Sequence, residues 1–264
     1  MKKIVVLGAG KMGSWLVESL CLDYDVGVFD LDKTRLKYFF NSHRFLSIDE
    51  IRDFQPDLLI NAVSLNNTIK VFKEIDPYLT KDCIISDITS VKNGLQEYYT
   101  KSGRRFVSTH PMFGPTFANI KDLSNENAII ITESDQEGIE FFRSFYSSLK
   151  LNIYEYNFSD HDETIAYSLS VPFSSSLVFA ACMKTQEAPG TTFRKHLDVA
   201  RGVLSEDDYL LSEILFNPFT IDQVVKIRTQ LASLIKIVEK RDFVALKDFI
   251  DGLRENIELP VNRE

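Results

Sequence analysis

Cysteine is scarce: Cys21, Cys83 and Cys182 are odd in number, far apart and without any C-x-x-C spacing. That argues against a disulfide framework or a thiolate metal site and predicts reduced thiols in a cytoplasmic protein. Basic charge is short as well. Thirty Lys and Arg against 38 Asp and Glu leave a net charge of −8, so a nucleic-acid partner is not expected, since nothing basic offsets phosphate repulsion. No apolar run approaches the ~20 residues that span a bilayer, so no membrane partner is expected either. The opening MKKIVVLGAG starts like a leader, but glycines and Lys11 interrupt it at once. Histidine occurs only four times, and no set of side chains reads as a metal site. Internal repeats and low-complexity segments are absent.

What is present alternates. KKIVVLGAG is a short β-branched run, GSWLVESLCL follows with helical spacing, and YDVGVFD is again a strand. DLLINAVS, DCIISDITS, RRFVSTH, NAIIITE and LNIYEYN continue the series with helix-like segments between several of them. Continuously apolar strands alternating with helices predict a parallel sheet covered on both faces. After about residue 158 the strand signals stop. SDHDETIAYSLSVPFSSSLVFAACMK reads as one long, largely buried helix. SEDDYLLSEILFN and TIDQVVKIRTQLASLIKIVEKR each open with the spacing of a capping box, at Ser205/Asp208 and at Thr220/Gln223. In the second, Ile221, Val224, Val225, Leu231, Leu234, Ile235 and Val238 fall on one stripe. The reading is α/β, with a dinucleotide-binding domain over 1–157 and an all-helical domain over 158–264.

Gly8, Gly10 and Gly13 form G-x-G-x-x-G directly after a strand and at a helix start. The first permits a tight turn, the second lets a pyrophosphate approach the backbone, and the third lets helix and sheet pack closely. The next strand ends in Asp30, 22 residues after Gly8, where an acid binds both ribose hydroxyls. This is the Rossmann arrangement, with Lys11 and Met12 inside the turn. Asp30 repels a 2′-phosphate and so favours NAD, while Lys33 and Arg35 close behind weaken that preference.

Three strands end in polar clusters: Asn61 and Ser64, with Val63 between them; Asp87, Thr89 and Ser90; and Ser108, Thr109 and His110. Ligands of open parallel sheets bind at the carboxyl ends of strands. Gly8, Gly10, Lys11, Met12, Gly13, Asp30, Val63 and Ser64 are therefore the candidate cofactor contacts. Ser90 is either a helix cap or part of the site. Pro111 holds His110 in extended backbone, which positions its ring. His161 reads as a surface residue between Asp160 and Asp162, and His43 and His196 as solvated.

DITSVK followed by STHPMFGPTF resembles the prephenate dehydrogenase family, and the opening GAGKMG fits it as well. The resemblance implies that His110 is the catalytic histidine and Ser90 the serine supporting it. It also implies a helical domain that dimerises and closes over the substrate. The family's second histidine is missing: SLSVPFSSS places Ser170, Phe173 and Ser174 there, and Ser170 is assigned to the substrate instead. A dianionic substrate needs cations, and arginine's fork suits carboxylates. Arg194 and Arg201 lie seven residues apart on one helix face. The family's carboxylate anchor precedes an acidic segment, which Arg201 fits, with Arg194 as the alternative. The implied reaction is NAD-dependent oxidative decarboxylation of prephenate. Arogenate dehydrogenation, a β-hydroxyacid dehydrogenase and a non-catalytic NAD-binding sensor are the other readings.

Overall fold

Alternate residues of the first strand, β1 (Lys3–Leu7), are buried on opposite faces: Ile4 and Val6 join one apolar cluster, Val5 and Leu7 another. β4 (Leu58–Asn61) repeats the pattern, with Leu58 and Ile60 on one face and Leu59 on the other. Strands buried on both faces must lie inside a sheet covered by helices. The computed structural model, which describes residues 2–114 and 122–258, has that arrangement.

The first helix, α1 (Lys11–Leu20), is followed by β2 (Asp25–Phe29), β3 (His43–Phe45), α2 (Ile48–Phe54) and β4. Next come α3 (Thr68–Ile75), β5 (Ile84–Asp87), α4 (Leu95–Ser102), β6 (Phe106–Pro111) and β7 (Asn127–Ile131), then α5 (Gln136–Ser148) and β8 (Asn152–Tyr156). The described residues form one eight-stranded sheet in the order β3-β2-β1-β4-β5-β6-β7-β8. The first six strands of that order are parallel; β7 runs antiparallel to β6, with His110 opposite Ile129, and β8 returns parallel to β7 through α5. His110 thus ends a strand that is paired on both sides.

Helices make up the rest: α6 (Phe158–Ile165), α7 (Val171–Cys182), α8 (Thr191–Leu204), α9 (Asp208–Leu215), α10 (Thr220–Lys240) and α11 (Phe243–Asn256). By contacts the chain divides into two units, Met1–Ile165 with Asp207–Glu213, and Ala166–Glu206 with Ile214–Glu264. The division expected at 157/158 falls one helix earlier. α6 goes with the sheet because Phe158, His161 and Ile165 are buried, Phe158 within the sheet's own apolar cluster.

The long buried helix expected after residue 158 needs correction. A π-turn over Ala166–Ser170 joins α6 to α7, ahead of Pro172, whose ring cannot follow a regular turn. α7 has no buried residue. The helical run Phe158–Cys182, 25 residues, is by length and composition apolar enough to cross a membrane, contrary to the expectation that no run approached that length. The stripe on α10 is likewise exposed within the single chain, Ile221 by 64% and Val238 by 61%. Both capping boxes fail for local reasons. Asp207, not Ser205, caps α9 by accepting from the Tyr209 and Leu210 amides. The Thr220 hydroxyl donates instead to the Ile214 carbonyl.

Candidate functional site

At the end of β1 the chain must turn sharply into α1, and three glycines make that possible for three different reasons. Gly8 has φ +94°, and a Cβ there would stand 2.8 Å from the Ala62 carbonyl oxygen. A Cβ on Gly13 would fall 1.8 Å from the Gly8 oxygen, so only glycine lets α1 sit this close to the strand. Gly10, the N-cap of α1, has no protein atom within 4 Å of where a Cβ would be. It faces a cleft of about 540 Å³ that Gly8, Asp30, Val63 and Ser64 also line. A pyrophosphate fits that opening, against the helix N-terminus. Met12 packs partly buried on the core, and Lys11 opens the helix.

Asp30 follows β2 at the cleft. Its two oxygens accept from the Ala9 amide at 2.7 Å and the Asp32 amide at 2.8 Å, which fixes the carboxylate while leaving lone pairs for ribose hydroxyls. The neighbouring cations are engaged. Arg35 lies 3.8 Å from Asp30 and 3.4 Å from Asp32, and the Lys33 ammonium sits 3.8 Å over the Phe29 ring. The Ser64 hydroxyl donates to Asn66 at 2.8 Å.

Four positions along the sheet, a second cluster forms around His110. The Lys92 ammonium, fully buried, donates to Asp87 at 2.5 Å and to the Thr109 carbonyl at 2.7 Å. That second bond pins the peptide immediately before His110. Asp87 also accepts from the Tyr99 hydroxyl at 2.7 Å and the Thr89 hydroxyl at 2.8 Å. Burial alone would raise Asp87, but Lys92 beside it holds the carboxyl below its ordinary value. Ser90 lies half-buried in the loop between β5 and α4. Gly94 takes the cap position of α4, so Ser90 is not a helix cap.

His110 is 6% exposed. Burial first, then His161 and Lys92, push its imidazole well below the ordinary value, so it is neutral at pH 7. The surface assignment of His161 is overturned. Its ring is fully buried, with Nε2 3.1 Å from His110 Nδ1 and Nδ1 3.1 Å from an Asp162 oxygen. Helix α6 brings it there by docking Phe158 and Ile165 on the sheet. Lys92 was visible only as the lysine of DITSVK. Of the HPMFGP segment, Pro115 lies outside the described residues, as do Thr116 and Phe117.

The remaining candidates belong to the helical unit. Ser170 is buried, and its hydroxyl donates to the Thr220 hydroxyl at 2.6 Å while lying 3.2 Å from the Ile214 carbonyl oxygen that Thr220 itself donates to. Arg201 is exposed and lies 3.5 Å from Asp198, and Arg194 reaches Thr191 at 3.5 Å. No group of three or more His, Cys, Asp or Glu able to hold a metal occurs among the described residues.

The family model of the prephenate dehydrogenase nucleotide-binding domain matches residues 25–154. A probable arogenate/prephenate dehydrogenase of Methanocaldococcus jannaschii is 25% identical over 202 residues, 70% of this chain and 44% of the relative. The chain thus spans under half the length of that relative. Among solved structures, a prephenate dehydrogenase from A. aeolicus in complex with hydroxyphenyl propionate and NAD+ superposes with a TM-score of 0.83 over 98% of both chains, at 16% identity. The Synechocystis arogenate dehydrogenase gives 0.78 over 97% of this chain and 99% of that one, at 18% identity. Both likenesses are of fold.

Proposed function

We propose that this chain, whose residues 25–154 match the nucleotide-binding domain of the prephenate dehydrogenase family, oxidises prephenate to 4-hydroxyphenylpyruvate with NAD. The observation that carries the reading is a buried, neutral imidazole, His110, ending a strand of the same sheet that holds the glycine cleft. NAD, when bound, supplies the hydride acceptor. Gly8, Gly10 and Asp30 would hold it, and Asp30 disfavours a 2′-phosphate.

In the substrate one ring carbon bears hydrogen and hydroxyl, and the carbon opposite bears a carboxylate. His110 accepts the hydroxyl proton as the hydride leaves. The carbon–carboxylate bond breaks to release carbon dioxide, and its electrons complete the aromatic ring. The phenolate formed takes the proton back. A neutral base is required for the first step, and a low imidazole pKa keeps His110 unprotonated. Ser90, in the adjacent strand-end loop, supports the hydroxyl. Arg201, with Arg194 as alternative, supplies the cation for a carboxylate. The exposed apolar faces of α7 and α10 fit burial in a homodimer, and the dispersed thiols fit a cytoplasmic setting.

The test is NADH formation followed by absorbance with prephenate and arogenate offered separately, each with NAD and with NADP. Turnover with prephenate and NAD, at least ~10-fold more efficient than with NADP, is expected. Turnover with arogenate alone would move the assignment to the amino substrate, and none with either would leave a nucleotide-binding protein without this activity.

A further inference from the structure

Two buried imidazoles and a partly exposed carboxylate form a line of hydrogen bonds into the site: Asp162, His161 and His110, with donor–acceptor distances of 3.1 Å at each step. Their polarity follows from chemistry. An ionised carboxylate only accepts, so His161 must carry its proton on Nδ1. Burial lowers the His161 pKa, so the ring is neutral and its Nε2 holds a lone pair. That lone pair can only accept, and the group facing it is His110 Nδ1. His110 must therefore be protonated on Nδ1, which leaves its Nε2 as the basic nitrogen.

We propose that His161, oriented by Asp162, is a positioning residue that fixes the tautomer of His110 so that Nε2 is the free base. The proposal rests on the functional reading above for its consequence, and on hydrogen-bond geometry together with the burial of His161 for the tautomer. When His110 gains the hydroxyl proton on Nε2, its Nδ1–H bond to His161 becomes a charge-assisted one and strengthens. No proton need leave the pair; His161 acts by accepting a hydrogen bond. The cations and acids around the two rings are Lys92, Asp87 and Asp162. Lys92 and Asp87 pair with each other, so Asp162 remains the acid that orients His161.

The test uses the full chain labelled with ¹⁵N-histidine. Only four histidines contribute, and His110→Asn assigns the signals of His110. In the parent, His110 should show a protonated Nδ1 and an unprotonated Nε2 at neutral pH. His161→Leu removes the acceptor, so the His110 nitrogens should shift toward the other tautomer. Its kcat should fall by roughly 10²-fold, within the ~10²–10⁴ that a general base contributes, with NAD affinity by fluorescence titration unchanged. His161→Gln, whose amide oxygen can accept near the Nε2 position, should restore the His110 signals and recover much of the rate. A parent His110 protonated on Nε2 overturns the inference without any variant, which keeps it testable if His161→Leu does not fold. So does a folded His161→Leu whose His110 shifts and kcat match the parent. Absence of turnover in the parent would defeat the functional reading and leave the nitrogen shifts to judge the tautomer independently.

Discussion

His110→Asn keeps a polar side chain of similar reach and removes the basic nitrogen. We expect kcat to fall by ~10²–10⁴-fold with NAD affinity almost unchanged; full retention of rate would make His110 structural. The depressed pKa also fixes the direction of a pH effect on stability. Both His110 and His161 are held below 6.5 in the fold, chiefly by burial. The unfolded chain therefore binds protons there that the native state does not, and stability declines as pH falls below that value. Each histidine contributes a slope of about 1.4 kcal/mol per pH unit until its folded pKa is reached. Urea unfolding midpoints at pH 7.5 and 5.5 measure it; equal midpoints would mean that the two rings titrate normally in the fold.

At the scale of the turn between β1 and α1, two glycines separate folding from binding. Gly13→Ala drives a Cβ into the Gly8 carbonyl, and backbone cannot yield as a flexible side chain would. It should destabilise by at least ~1–3 kcal/mol and weaken NAD with it. Gly10→Ala meets no protein atom, so its unfolding midpoint should hold or rise while NAD affinity drops, because the methyl stands in the cleft. If the two variants behave alike in denaturation and NAD titration, the assigned roles are wrong. This turn was legible in the sequence because its causes are local: a strand, three spaced glycines, an acid at the next strand end. His110 was legible for the same reason, through Pro111. His161 was not. Its partner lies 51 residues away, and the neighbouring acids that made it look solvated include the carboxylate that orients it. Thr220 and Ser205 carried the right capping spacing, but Ile214, Ser170 and Asp207 supplied better-placed partners, which spacing cannot reveal.

For the whole molecule, the apolar stripe of α10 was read correctly as a stripe, whereas the helical segment after residue 158 was read wrongly as largely buried within the chain. Periodicity tells which face is apolar and is silent on whose surface buries it. Light scattering on the full chain should give about twice the 30.3 kDa chain mass. Val238→Asp, which sets a charge on the exposed stripe of α10, should shift it toward the single mass. A parent of single-chain mass would count against the homodimer.

The Lys92 ammonium, sealed between Asp87 and the Thr109 carbonyl, also makes the protein its own gauge of local opening. An amine-reactive reagent attacks only an accessible amine, and lysines such as Lys70 and Lys101, in solvent-exposed surface ion pairs, are within its reach without any opening of the fold. Lys92 can react only in the fraction of time during which the loop ahead of α4 detaches from β6, so its modification rate reports that opening equilibrium. Followed by mass spectrometry, the Lys92 peptide should remain unlabelled long after the others have saturated. Adding NAD and a substrate analogue should slow it further if ligand binding and closure of this loop are one event. Labelling of Lys92 at the rate of Lys70 would mean that the carbonyl before His110 is not held in solution.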